Sequence, residues 1–125
     1  MNKLDILAFG SHPDDVELGC AGTILLQISL GYQVGIIDLT QGELGTRGNQ
    51  SIRKKEARKA SKKMGVSIRE NLKFKDGFFE NNETNKLEII KRIRFHRPSI
   101  VLCNAMKDRH PDHGRTAALL YDSCF

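Results

Sequence analysis

Two short stretches hold most of the residues able to do chemistry. "SHPDD" spans positions 11–15 and brings His12, Asp14 and Asp15 within three positions of one another. "RHPDH" spans 109–113 and carries Arg109, His110, Asp112 and His113. Two imidazoles and a carboxylate are a usual ligand set for a catalytic zinc, with positions left open for water. The same trio can hold ferrous iron, so Zn2+ is the first choice and Fe2+ the second. A ligand and a base are different residues: one of Asp14 and Asp15 coordinates, and its neighbour takes a proton from water. Residue types alone leave open which does which. Each stretch also has a plainer reading, in which Asp14 or Asp15 caps one helix and Asp112 caps another.

Other positions are candidates for contact rather than chemistry. Arg53, Ala57, Ala60 and Met64 recur at helical spacing, which puts Arg53 on the packed side of a lysine-rich helix. An arginine there can clamp a substrate oxygen or carboxylate. The alternative is a structural ion pair with Glu43 or Asp38. The glycine-rich loop "GELGTRGN" offers Thr46 and Arg47 to a polar ligand. His96, between Arg94 and Arg97, reads as a structural partner of a helix C-terminus.

These residues need a scaffold, and the hydrophobic pattern supplies one. Strands are expected over 3–10, 33–40, 67–74 and 99–105. Between and after them fall four helices. The first covers 15–30, is largely buried and stops at Gly31. The second covers 51–65, capped by Ser51 and ended by Gly65. The third opens at Asn85, with Glu88 completing a cap pair, and closes at Pro98. The last covers 113–125. Strand–helix alternation predicts an α/β, Rossmann-like parallel sheet with helices on both faces, in the order 3-2-1-4. In that order strands one and four are neighbours, and the loops after them carry "HPDD" and "HPDH". Ligands bind at such a switch point, beyond the carboxyl ends of the strands.

Composition narrows the class further. At 125 residues, with 39% apolar and 28% charged residues, the chain suits one globular domain, 1–125. No apolar run is long enough to span a membrane, and "LDILAF" is too short and too polar for a secretion signal. Cys20, Cys103 and Cys124 form no CxxC pair and read as buried, reduced thiols of a cytoplasmic protein. The net charge of +5 is concentrated in residues 51–65, which carry +6. A solvated helix face is the plain account, a phosphate-binding or anionic-partner face the alternative; nucleic acid is not expected as a partner. No GxGxxG follows the first strand, which argues against a dinucleotide cofactor. The final helix runs to Phe125 without a breaker and reads as the front part of something longer.

"HPDD" after strand one, "GELGTRG" after strand two and "NAMKDRHPDHGR" after strand four resemble the LmbE/PIG-L family of zinc-dependent N-deacetylases. The branch most resembled deacetylates N-acetylglucosaminyl malate in bacillithiol biosynthesis. The resemblance implies zinc held by His12, Asp15 and His113. It implies Asp14 as general base and His110, oriented by Asp112, as the group that polarises or protonates the tetrahedral intermediate. Arg53 would contact substrate, and Arg109 would meet an anionic aglycone such as malate; Thr46 remains a candidate substrate contact from the glycine-rich loop alone. The implied reaction hydrolyses an acetamide on a sugar conjugate, a small-molecule substrate, releasing acetate and a free amine. It also implies a cytoplasmic homo-oligomer in the full-length protein, with no nucleic-acid or membrane partner. Members of the family are longer, so this chain corresponds to the N-terminal part of a single deacetylase domain, and an inactive zinc- or sugar-binding fragment is the alternative.

Overall fold

A computed structural model of the protein describes residues 3–125. Four strands and four helices alternate: β1 (Ile6–Gly10), α1 (Asp15–Ser29), β2 (Val34–Thr40), α2 (Gln50–Met64), β3 (Ile68–Phe74), α3 (Glu83–His96), β4 (Ile100–Leu102) and α4 (Pro111–Cys124). The strands form one parallel sheet in the order β3-β2-β1-β4, as the pattern predicts. β1 and β2 are buried along their whole length, so they read as continuous apolar runs rather than alternating ones. Their side chains still alternate between faces. Ile6 and Ala8 join Val34, Ile36, Val16 and Ile24 under α1 and α2. Leu7 and Phe9 join Ile37, Leu39, Ile89, Leu119 and Leu120 under α3 and α4.

Several boundaries move, for identifiable reasons. α2 begins at Gln50, and its cap is Asn49, whose side chain accepts from Ile52 N at 3.0 Å, in place of Ser51. α3 begins at Glu83, capped by Asn82 accepting from Asn85 N at 2.9 Å, in place of the Asn85–Glu88 pair. Both asparagines have the extended backbone that a cap requires, and each lies just upstream of the position expected from sequence. β4 is only three residues long, because the chain then turns so that Asn104 can bond to the β1 loop. α4 starts at Pro111, whose missing N–H costs nothing in a first turn.

Two expectations about burial fail. α1 is not largely buried: only Val16 and Ile24 are, while Leu18, Leu25, Leu26 and Leu30 are exposed. The helix touches the sheet along one narrow stripe, and no described element covers its outer side. The cysteines are not buried either; Cys103 and Cys124 are exposed and Cys20 is half-buried. His96 is buried at the end of α3, with Nε2 3.5 Å from Glu70 Oε1. No helix among the described residues is long and apolar enough to cross a membrane.

One buried charged group lies within the sheet itself: Asp38, on β2 and 2% exposed. Arg69 on β3 grips it through Nε and Nη2 at 2.7 and 3.0 Å and also reaches Glu17 and Ser61. Burial pushes the Asp38 carboxyl up to about 6, although Arg69 opposes the shift. Removing one partner of such a pair leaves an uncompensated charge in the interior. Arg69→Ala is therefore expected to lower unfolding free energy by about 3 kcal/mol at pH 8. The loss should shrink at pH 5, where Asp38 can take a proton and be buried neutral. Urea titrations at the two pH values check both statements.

Candidate active site and metal centre

The site forms where the chain reverses across the sheet, between the carboxyl ends of β1 and β4. Asn104 joins the two loops. Its side chain accepts from Ser11 N at 3.0 Å and donates to Asp15 Oδ2 at 3.2 Å. Ser11 Oγ and Thr116 Oγ1, 2.6 Å apart and both fully buried, tie the β1 loop to α4. Gly10 lets this loop close over the strand end: a Cβ there would come within 3.1 Å of Asp15 Cβ and 3.2 Å of Val16.

His12, Asp15 and His113 meet at the floor of an open cleft of about 510 Å³. One donor atom from each lies within 4.8 Å of the other two. Asp15 Oδ2 is 3.4 Å from His12 Nδ1 and 3.3 Å from His113 Nε2. Donors bound tetrahedrally at zinc distances stand about 3.4 Å apart, so these spacings suit one small divalent cation. The far nitrogens are held as well. His113 Nδ1 lies 2.6 Å from Asp108 Oδ2. His12 Nε2 lies 3.0 Å from Asp112 Oδ2 and 3.1 Å from Asp76 Oδ1. Imidazoles that ligate metals usually have their second nitrogen fixed this way.

The electrostatics separate the two adjacent aspartates. Burial would raise Asp15, but hydrogen bonds and charge from His12, then the charge of His113, hold it at about 2. Burial would lower His12, yet Asp15, then Asp112 and Asp76, lift it to about 9. This cluster binds a positive charge strongly, and a proton and a metal compete for it. Asp14 is displaced upward, by burial first and by Asp15 next, with Arg53 opposing. It stands at the cap position of α1 but makes no side-chain cap bond; its carboxylate faces Arg53 Nη2 at 3.5 Å across the cleft. Helix capping therefore does not account for Asp14.

Arg53 reaches the cleft by crossing Gly42, whose carbonyl accepts from Nη1 at 3.2 Å. Gly42 has φ +61°, and a Cβ there would collide with the guanidinium. The expected alternatives for Arg53, Glu43 and Asp38, are taken by Asp76 N and by Arg69. His110 caps α4, with Nδ1 accepting from Asp112 N at 3.1 Å, which in the neutral ring places the proton on Nε2. Its ring stacks on that of His113, centroids 5.2 Å apart. Asp112 thus orients His110 through its backbone. Its carboxylate, 4.0 Å from His110 Nδ1, serves His12, Gly77 N and Arg115 instead. Arg109 is exposed and borders the cleft, whereas Thr46 is exposed and outside its lining.

Sequence reasoning missed Asp76, Asp108 and Asn104. Asp108 and Asn104 sit inside the quoted "NAMKDRHPDHGR", where the histidines drew the attention. Asp76 had no such signal. "DG" after a strand reads as a turn, and only the path of the β3–α3 loop over β2 brings it to His12.

The fold and this His/Asp cluster define an α/β protein with a group of side chains at a sheet switch point that could hold a metal ion. The profile of the family described as PIG-L: GlcNAc-PI de-N-acetylase matches residues 7–124, and the chain belongs to that family. It is 35% identical over 114 residues to the uncharacterized deacetylase YaiS of Escherichia coli (strain K12), covering 86% of this chain and 61% of that one. It is 32% identical over 118 residues to the diacetylchitobiose deacetylase of Thermococcus kodakarensis, covering 86% of this chain and 44% of that one. Its backbone superposes on the crystal structure of a conserved protein of Thermus thermophilus with TM-score 0.91 and 39% identity, covering 96% and 55% of the two chains. The chain thus spans about half the length of the relatives it matches.

His113→Ala is expected to abolish stoichiometric zinc binding, and Asp108→Asn to weaken it by about tenfold or more. Equilibrium dialysis with elemental analysis reads both.

Proposed function

We propose that this chain carries the metal centre and acid–base residues of a deacetylase acting on an N-acetylglucosaminyl conjugate. N-acetylglucosaminyl malate, of bacillithiol biosynthesis, is the specific substrate in this reading. The observation that carries it is the spacing at Asp15 Oδ2, 3.4 and 3.3 Å from two imidazoles, beside a second carboxylate whose pKa is displaced upward. Family membership and relatives named as deacetylases support the reaction class.

His12, Asp15 and His113 would hold the metal, taken as Zn2+ with Fe2+ as the second choice. When bound, it supplies Lewis-acid polarisation of the acetyl carbonyl and acidifies water. Asp14, unencumbered by a capping bond, takes the proton of the attacking water and passes it toward the leaving amine. His110 donates from Nε2 to the oxygen that becomes negative. Asp112 and Asp108 hold the ligand imidazoles in the right tautomer. Arg53, held over Gly42, keeps Asp14 from being protonated outright and contacts the sugar. Arg109, exposed at the rim, meets the malate carboxylates, and Thr46 contributes once the glycine-rich loop closes. A homo-oligomeric, cytoplasmic enzyme belongs to the same reading.

A non-catalytic zinc- or sugar-binding role is the second reading, favoured by the open cleft and by the chain's share of its relatives' length. Asp14→Asn is expected to keep stoichiometric zinc while losing at least about 100-fold in kcat on N-acetylglucosaminyl malate. Acetate release by wild type and variant, with zinc content measured in parallel, decides it. Equal turnover removes Asp14 from the chemistry, and zinc binding with no acetate release from the wild-type chain favours the second reading. Arg109→Ala should raise KM for the malate conjugate and leave diacetylchitobiose unaffected.

A further inference from the structure

The basic helix sends Arg53 into the cleft that holds His12 and His113, and a different stripe of its surface is built into a second cavity. Gln50, Lys54, Ala57, Arg58 and Ser61, at positions i, i+4, i+7, i+8 and i+11 of α2, form a single stripe. Arg69 and Asn71 lie two apart on β3, and Glu70 and Lys73 line the same cavity from that strand. The helix stripe and the strand enclose a groove of about 270 Å³ at the edge of the sheet. No residue lining it also lines the cleft that holds His12 and His113.

The charges in this groove are unbalanced. In its floor Arg69 is shared between Asp38 and Glu17, and Glu70 is engaged by Arg92. Lys54, Arg58 and Lys73 line the groove, all three are exposed, and none forms an ion pair among the described residues. Three cations along one small groove repel one another unless an anion joins them.

The backbone at Lys73 is also unusual. Lys73 has φ +57°, a left-handed conformation that disfavours any residue with a Cβ. It sits in a bulge, because Asp38 pairs with Asn71 and Thr40 with Phe74, giving β3 one extra residue. Asn71 sustains the bulge, accepting from Lys73 N at 2.7 Å and donating to Thr40 O at 2.7 Å. Glycine would occupy this position without strain, so the lysine is kept at a cost to stability.

We infer that the groove between α2 and β3 binds a phosphate monoester on a hydroxylated carrier about the size of a monosaccharide, at a site that adjoins the catalytic cleft at Pro13 but shares none of its lining residues. Lys54, Arg58 and Lys73 would meet the phosphate. The amides of Gln41 and Gln50 supply donors and acceptors for hydroxyl groups. The volume equals that of about nine waters, enough for one such molecule. No aromatic residue lines the groove, so nothing there would stack a nucleic-acid base.

The test is calorimetric titration of the 125-residue chain with glucose 6-phosphate, glucose and inorganic phosphate at low salt. Glucose 6-phosphate should bind, glucose should not, and inorganic phosphate should bind at least threefold more weakly than the ester. Lys54→Ala and Lys73→Gly should each weaken the ester by about fivefold or more while zinc content stays at wild-type level. Lys73→Gly relieves the backbone, so its thermal midpoint should rise by about 3 °C even as affinity falls. A purely structural lysine would show the gain in midpoint without the loss of affinity. Unchanged affinity in both variants, glucose binding as tightly as its phosphate, inorganic phosphate matching the ester, or displacement of the ester by a short oligonucleotide would each overturn the inference.

Discussion

The buried carboxylate of Asp112 is the interaction on which the cleft depends. It is 1% exposed, and such a group is tolerated only when its oxygens are fully engaged. Oδ2 meets His12 Nε2 and Gly77 N, and Oδ1 meets Arg115. One side chain therefore joins the loop after β1, the loop after β3 and the first turn of α4. The Asp112 backbone takes part too: its N–H orients His110, and its carbonyl accepts from Ser11 Oγ. The ligand cluster keeps its spacing because every loop that carries it is anchored to this point.

Two neighbouring aspartates meet different surroundings at the start of α1. Asp15 lies against two imidazoles and the amide of Asn104, so its charge is compensated and its carboxyl stays ionised. Asp14 faces the open cleft with one arginine opposite and a like charge beside it. Burial and the neighbouring carboxylate then push it upward. Displacing two adjacent carboxylates in opposite directions is the usual way for one to ligate while the other carries protons. The separation follows from chain direction at the start of α1, where successive side chains leave the backbone on different sides.

The scaffold outside the cleft has its own tension. The sheet is well covered by α3 and α4 on one face, while α1 presents leucines outward. The Asp38–Arg69 pair closes the polar floor beneath α2, whose lysines form no ion pair among the described residues. The same helix thus contributes Arg53 to one site and a cationic stripe to another.

Much of the architecture was legible from local pattern. The 3.6 and 2.0 residue periods and the glycine stops depend on neighbours only a few positions apart, and strand–helix alternation then limits topology to very few choices. The two ligand loops were visible because rare residue types cluster in them. The cap positions slipped at Asn49 and Asn82 because several residues nearby could cap, and backbone dihedral angles select among them. The exposure of α1 and of the cysteines depends on which elements pack above them, which periodicity does not record. Asp76 joins His12 from 64 positions away, and His113 joins Asp15 from 98 away. By itself the sequence determined the parallel sheet, its order and the two loops that bear the His/Asp cluster. Tertiary structure alone decided which aspartate faces the imidazoles, and which carboxylates stand behind them. Those relations arise only when distant loops share a low-dielectric space, where a few ångströms govern both hydrogen bonding and charge.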